Sequence, residues 1–166
     1  MQTLWAPWRM AYVAGPKTAG CIFCTLPDEP DPREALVLAT TPAAVIMLNR
    51  FPYTSGHVMV APRAHCADLN ALSVTQYGEL METLRRAVRI LEQVLQPEGM
   101  NLGMNLGRAA GAGVADHLHW HLVPRWVGDT NFMPMIAEVR VMPEHLLAAY
   151  DKLQPHFAAL AQPSAR

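Results

Sequence analysis

Two hydrophobic periods alternate along this chain, and the switches between them mark its elements. Ala35 to Ala39 and Ala43 to Leu48 are short apolar runs separated by Thr40-Thr41-Pro42, which predicts two strands around a turn. Pro52 to Gly56 is loop, and His57 to Ala61 is a third strand. The period then changes. Tyr77, Leu80, Met81, Leu84, Val88, Leu91 and Leu95 recur at helical spacing. Ser73-Val74-Thr75-Gln76, ahead of them, has the form of a capping box, and Pro97 and Gly99 end the run. Glu79, Glu82, Arg85, Arg86 and Arg89 fall on the wet side, so the Met and Leu stripe is a core face. Met100 to Asn105 reads as a fourth strand, Gly107 to Gly113 as a small-residue loop, and His117 to Pro124 as a fifth strand. Gly128 to Pro134 is loop, and Glu138 to Met142 reads as extended. Pro143 to Leu160 is a C-terminal helix with Pro143 in its first turn. Several strands around one long helix predict an α+β fold with an antiparallel sheet.

The fifth strand is His117-Leu118-His119-Trp120-His121-Leu122-Val123-Pro124. An extended strand sends successive side chains to opposite faces. His117, His119 and His121 therefore share one face, and Leu118, Trp120 and Leu122 the other. Neighbours in the histidine row lie roughly 6.6–7 Å apart along the strand. That is too far for two of them to clamp one small atom, and it suits one nucleophile flanked by helpers. Three of the chain's seven histidines fall within these five residues. The residues alone leave three readings open. The row is the outward face of a half-buried strand, a metal-binding tract, or a site for phosphoryl chemistry. Imidazole suits the last because its unperturbed pKa lies nearest neutrality.

Composition narrows the classes. At 166 residues the chain fits one domain with a sizeable core. Hydrophobic residues make up 51% and charged residues 16%, and the formal net charge is −1, so no global basic field would gather nucleic acid. No apolar run reaches the ~20 residues that span a bilayer. Met1 to Val13, with two tryptophans and Arg9, lacks the apolar stretch of a secretory signal. Three cysteines do not make a disulfide scaffold, and the protein is read as cytoplasmic. Trp5, Trp8, Met10 and Tyr12 near the N-terminus need something to pack on, either the domain's own core or another subunit. Cys21 and Cys24 have metal-ligand spacing, but a structural zinc wants four ligands. His65 and His117 are the candidates for the other two, redox and core roles stay open for the cysteines, and Cys66 reads as a buried bystander.

The alternation of three histidines with apolar residues resembles the signature of the histidine triad family of nucleotide hydrolases and transferases. Asn49-Arg50-Phe51-Pro52-Tyr53-Thr54-Ser55-Gly56-His57-Val58-Met59-Val60-Ala61-Pro62 resembles the family's other marker, an Asn or Asp eight residues before a Gly-His and a strand ending in Pro. The likeness runs from Cys21 to Arg125, which gives a single domain with an N-terminal arm over residues 1–20 and a C-terminal extension over 126–166. LWAPWRMAYV, from Leu4 to Val13, and WVGDTNFMP, from Trp126 to Pro134, are similar to the bacterial branch that acts as diadenosine tetraphosphate phosphorylase.

The resemblance implies a histidine-triad fold, a five-stranded antiparallel sheet carrying one long helix, and a homodimer or higher homo-oligomer. In zinc-bearing members the positions matching Cys21, Cys24, His65 and His117 hold a structural zinc. His119 matches the nucleophile, its second ring nitrogen held by a backbone carbonyl on a neighbouring strand. Its attack on an α-phosphorus gives a covalent nucleotidyl-histidine. His121 stands beside the phosphate and leaving group, to stabilise charge or pass a proton; the other reading is a spacer that donates to backbone. His57 supports them, by orientation or by contact. Asn49 matches a ribose-binding position, or is a turn residue before Pro52. Asn105, Gly111 and Gly113 belong to a phosphate loop whose small residues let backbone N–H groups approach. Ile46 and Phe51 flank the base, and Arg108, Arg125 and Asn131 could reach distal phosphates. Ala112-Gly113-Val114-Ala115 stands where many triad hydrolases have Gly-Gln-Ser/Thr-Val. That loss of polar contact favours the phosphorylase-like branch over a simple phosphoramidase. The expected substrates are adenine dinucleotides, with inorganic phosphate as acceptor. The rival enzyme reading is hydrolysis of adenosine phosphoramidates or dinucleoside polyphosphates. The rival from another class is a nucleotide- or zinc-binding module without turnover.

Overall fold

The structure is a computed structural model and describes residues 20–129, 142 and 144–161. The aromatic arm before Gly20, the extended segment expected from Glu138, Asn131 and Pro143 lie outside the described residues.

Five strands form one antiparallel sheet: β1 (Val37–Thr40), β2 (Ala44–Leu48), β3 (Val58–Pro62), β4 (Gly99–Met104) and β5 (Trp120–Arg125). Their spatial order is β1-β2-β3-β5-β4. The expected α+β architecture is the observed one. Among the described residues three α-helices accompany the sheet: α1 (Ile22–Thr25), α2 (Val74–Leu95) and α3 (Leu146–Ala158). The capping box at the start of α2 is complete. Ser73 Oγ accepts the Gln76 amide at 3.2 Å, and the Gln76 side chain accepts the Ser73 amide at 2.9 Å. Gln96 ends the helix in a left-handed conformation, and Pro97 cannot continue it.

The apolar stripe of α2, through Leu80, Leu84, Ala87 and Leu91, packs on one sheet face. That face presents Ala44, Ile46 and Leu48 of β2, Val58 and Val60 of β3, and Leu122 of β5. Ala149, Tyr150, Leu153 and Phe157 of α3 close the same core. On the opposite face Phe23 of α1 meets Met47, Met59 and Ala61. The sheet is thus covered on both sides in its middle, and β2 and β3 are buried along their whole length.

Most boundaries differ from the sequence expectation by a residue or two, and three element starts differ by two residues or more. β1 begins at Val37 rather than Ala35, because Leu36 takes a positive φ of 62° and the preceding residues form turns. α3 begins after His145, whose ring accepts the Leu147 amide as an N-cap, rather than at Pro143. β5 begins at Trp120, not His117. There the chain has left the ladder, and the Leu118 amide bonds to the Cys66 carbonyl at 2.7 Å instead of to β3.

Candidate active site and metal centre

Register places the histidines. Met59 of β3 pairs with His121, and Gly103 of β4 pairs with His121 from the other side. His121 therefore belongs to the face opposite α2. Phe23 reaches His117 and His119 from α1, with ring centroids 5.2 and 4.9 Å away. His119 and His121 lie edge to face, 4.9 Å apart and 76° inclined. His57 precedes β3 and is fully buried. Gly56 before it has φ +74°, a left-handed conformation that favours glycine, and a Cβ there would also push the Leu95 side chain at the end of α2 aside.

Hydrogen bonds assign the tautomers. The Tyr53 amide donates to His57 Nδ1 at 3.1 Å, so a neutral His57 carries its proton on Nε2. That Nε2 lies 3.0 Å from His121 Nδ1 and donates to it. His121 then carries its own proton on Nε2. His119 Nδ1 lies 2.9 Å from the His117 carbonyl, which can only accept, so the His119 proton is on Nδ1 and its Nε2 keeps a lone pair. The carbonyl is that of His117 itself, two residues back, and not one on a neighbouring strand. The departure of residues 117–119 from the ladder turns it toward the ring. Burial pushes the pKa of His119 down, and burial with the neighbouring His119 pushes that of His121 down to about 4. Both are neutral at pH 7, with a bare Nε2 on His119 and an Nε2–H on His121, the two ring centroids 4.9 Å apart.

His117 does different work. Its Nε2 donates to the Pro62 carbonyl at 2.8 Å, which leaves a lone pair on Nδ1. That atom lies 3.2 Å from Cys21 Sγ, 3.6 Å from Cys24 Sγ and 3.2 Å from His65 Nδ1. Cys24 Sγ is 3.4 Å from His65 Nδ1, and all four donor atoms fall within 4.8 Å of one another. A tetrahedral zinc at ~2.3 Å from sulfur and ~2.0 Å from nitrogen holds its ligand atoms roughly 3.3–3.8 Å apart. The set fits such an ion in donor type, number and spacing. α1 makes the cysteine half of it: the Cys21 carbonyl accepts the amides of Cys24 and Thr25, both at 3.0 Å.

The model of the HIT domain matches residues 32–127. An AP-4-A phosphorylase of Mycobacterium tuberculosis is 38% identical over 155 residues, 88% of this chain and 79% of that protein. The chain belongs to the HIT family. An adenosine 5'-monophosphoramidase of Schizosaccharomyces pombe is 30% identical to this HIT protein over 63% of the chain and 74% of its own length. A zinc-bound histidine triad family protein of Mycobacterium smegmatis superposes with a TM-score of 0.65 at 27% identity, over 84% of this chain and 94% of its own. The sheet with its helices is the fold of these neighbours.

Other expected site residues of this HIT domain divide. Asn49 Oδ1 accepts the Phe51 amide at 2.9 Å and its Nδ2 lies 3.4 Å from His57 Nδ1, so its carboxamide shapes the turn and steadies His57. Phe51 stands 39% exposed in that loop. Ile46 does not reach the histidine face; it is fully buried beneath α2, and its neighbour Met47 points to the other side. Asn105 and Gly111 face one another, since a Cβ on Gly111 would lie 4.0 Å from Asn105 Nδ2. Gly111 has φ +89° and its amide is spent on the Arg108 carbonyl, as that of Ala112 is on Gly107, so Gly111 supplies a left-handed turn rather than a free donor. Gly113 is exposed beyond it, and Arg108 is exposed as well. Arg125 forks onto Asp129 at 2.6 and 2.8 Å. Two residues escaped the sequence reading. Tyr53 matters through its backbone amide, which no residue-type motif marks. Phe23 lies inside the Cys-x-x-Cys, and its apolar character between two polar ligands was the available signal.

No helix among the described residues is long and apolar enough to cross a membrane.

Proposed function

We propose that this protein transfers adenylyl groups from adenine dinucleotides, with diadenosine tetraphosphate as substrate and inorganic phosphate as acceptor. The observation that carries the reading is the pair of tautomers at the centre of the site. His119 is held with a lone pair on Nε2, and His121 presents an N–H beside it. In the first step His119 Nε2 attacks an α-phosphorus. The P–N bond forms, the P–O bond to the leaving nucleotide breaks, and ATP departs with the electron pair. His121 Nε2–H donates to the phosphoryl or leaving oxygen, and His57 fixes which nitrogen carries that proton. In the second step an oxygen of inorganic phosphate attacks the same phosphorus, ADP forms and His119 is restored. Asn49 is assigned to the ribose, Phe51 to the base, and Asn105 with Gly113 to the phosphates. The 38% identity to the mycobacterial AP-4-A phosphorylase supports phosphorolysis over hydrolysis.

Cys21, Cys24, His65 and His117 would hold a zinc ion whose role is structural, cross-linking the start of α1 to the loop after β3 and the segment before β5. The protein is assigned to the cytoplasm.

Product analysis tests the chemistry. Diadenosine tetraphosphate with inorganic phosphate should give ATP and ADP in equal amounts, and turnover should fall to a small residue without phosphate. ATP and AMP formed at equal rates with or without phosphate would make the enzyme a hydrolase.

We further propose that two copies associate. β4 ends the sheet, and Leu102 on it and Leu106 just beyond are 45% and 54% exposed. Light scattering at micromolar concentration should give twice the monomer mass, and a monomer there would refute the association.

A further inference from the structure

Phe23 pairs with a ring of the candidate metal cluster, His117, and with the ring at the nucleophile's position, His119. It lies between Cys21 and Cys24 in a four-residue helix and is only 1% exposed. Its ring centroid is 4.9 Å from that of His119, with the planes 33° apart, and 5.2 Å from that of His117, 57° apart. Those are aromatic pair geometries. Met47, Met59 and Ala61 back the ring from the sheet.

Two tethers therefore fix the His119 imidazole. One is the bond from Nδ1 to the His117 carbonyl, and His117 is itself anchored through Pro62. The other is the face of Phe23. A half-turn of the His119 ring about its Cβ–Cγ bond would carry Nδ1 away from the carbonyl and Nε2 away from the phosphorus. The hydrogen bond opposes that turn from one side, and the tilted Phe23 ring packed against the imidazole opposes it from another. The four-residue helix that carries Phe23 is not stable by itself. The ring is held by its packing on Met47, Met59 and Ala61 and by whatever fixes Cys21 and Cys24 on either side of it.

We propose that Phe23 is a positioning residue for His119, held in place by the two cysteines when they share a metal with His65 and His117. The metal centre then sets the orientation of the nucleophile as well as stabilising the fold. This rests on the reading of His119 as nucleophile for its effect on rate, but not for its effect on the ring.

The test reads the ring directly. Nitrogen-15 spectra of the histidine side chains in the zinc-loaded protein should report His119 as a single Nδ1–H tautomer. In Phe23→Leu, which keeps an apolar side chain without the ring, the His119 signals should average between tautomers. There kcat should fall about three- to tenfold with KM and zinc content nearly unchanged, the range that loss of one aromatic pair implies. Wild-type protein stripped with a chelator should show the same averaging, and added zinc should restore the single tautomer. Phe23→Met carries the same readout if the leucine variant does not fold. A sharp single tautomer in both the stripped protein and the Phe23 variants would overturn the proposal. A locked tautomer that is lost on stripping, in a protein that turns over no dinucleotide, would uphold the positioning role and sink the catalytic reading instead.

Discussion

His119→Asn is expected to leave the fold and nucleotide binding in place and to abolish turnover. The side chain at this position is 4% exposed, and its one assigned bond runs from Nδ1 to the His117 carbonyl. An Asn carboxamide can still donate to that carbonyl, so the local structure has no reason to open. What disappears is the lone pair on Nε2, and nothing else on the histidine face is placed to attack in its stead. His121 has its proton on Nε2 and its Nδ1 is occupied by His57, which is itself fully buried. Loss of a nucleophile costs roughly 10⁴-fold in rate or more. His121→Gln should be far milder, since an amide still donates a hydrogen bond to phosphate oxygen. Labelled substrate quenched without acid should leave adenylate on the wild-type chain and none on His119→Asn. Comparable turnover in the variant, with adenylate still trapped, would move the nucleophile elsewhere. A protein that only binds nucleotide would show no turnover to lose, and its affinity would be the same in both forms.

Removing the metal is expected to give the largest change in stability. The four candidate ligands come from the start of α1, the loop after β3 and the segment before β5; single hydrogen bonds, Leu118 amide to Cys66 carbonyl and His117 to Pro62 carbonyl, join the last two. An ion that binds only the folded chain, present at a thousandfold over its dissociation constant, stabilises by about 4 kcal/mol. At about 2–4 °C per kcal/mol for a domain of this size, chelation should lower the melting temperature by roughly 10–15 °C. Cys21→Ser should do much the same and should drop the zinc content from about one per chain. Without an ion the cluster is poorly balanced. Burial, then the neighbouring Cys21, holds the Cys24 thiol above its usual range, so the protein alone does little to form the thiolate that zinc requires. A metal-free preparation with an unchanged melting temperature would refute this role.

Much of this arrangement could be read from residues alone, and the parts that could not have physical reasons. α2 was legible to its last turn because its period, capping box and terminating proline all agree. The cluster that could hold a metal was legible because the cysteine spacing calls for two further ligands and the family resemblance supplies His65 and His117. Ile46 was misplaced because β2 is buried on both faces: Ala-Val-Ile-Met-Leu has no polar residue to reveal which face carries the site. The origin of the carbonyl that holds His119 was hidden for another reason. Perfect alternation from His117 to Leu122 predicts a strand throughout, whereas the first three residues are drawn off the ladder by the Cys66 carbonyl. Tautomers are set by backbone amides and carbonyls, and these have no letter in the sequence.

The two margins of the sheet are unlike. At β1 the Val37 amide bonds back to Pro32, its carbonyl accepts the Tyr150 hydroxyl at 3.1 Å, and α3 packs alongside, clamped by Arg33 to Asp151 at 2.7 and 2.8 Å. At β4 the outermost backbone has no such cover among the described residues, since β4 pairs with β5 alone. A sheet with two raw margins can add copies at both ends and polymerise; one with a single raw margin has a valence of one. In the association proposed above, edge-to-edge growth would therefore stop at a pair. The strand that would be shared in that pair is the one flanking β5, so each partner would brace the other's catalytic strand at a distance of one ladder.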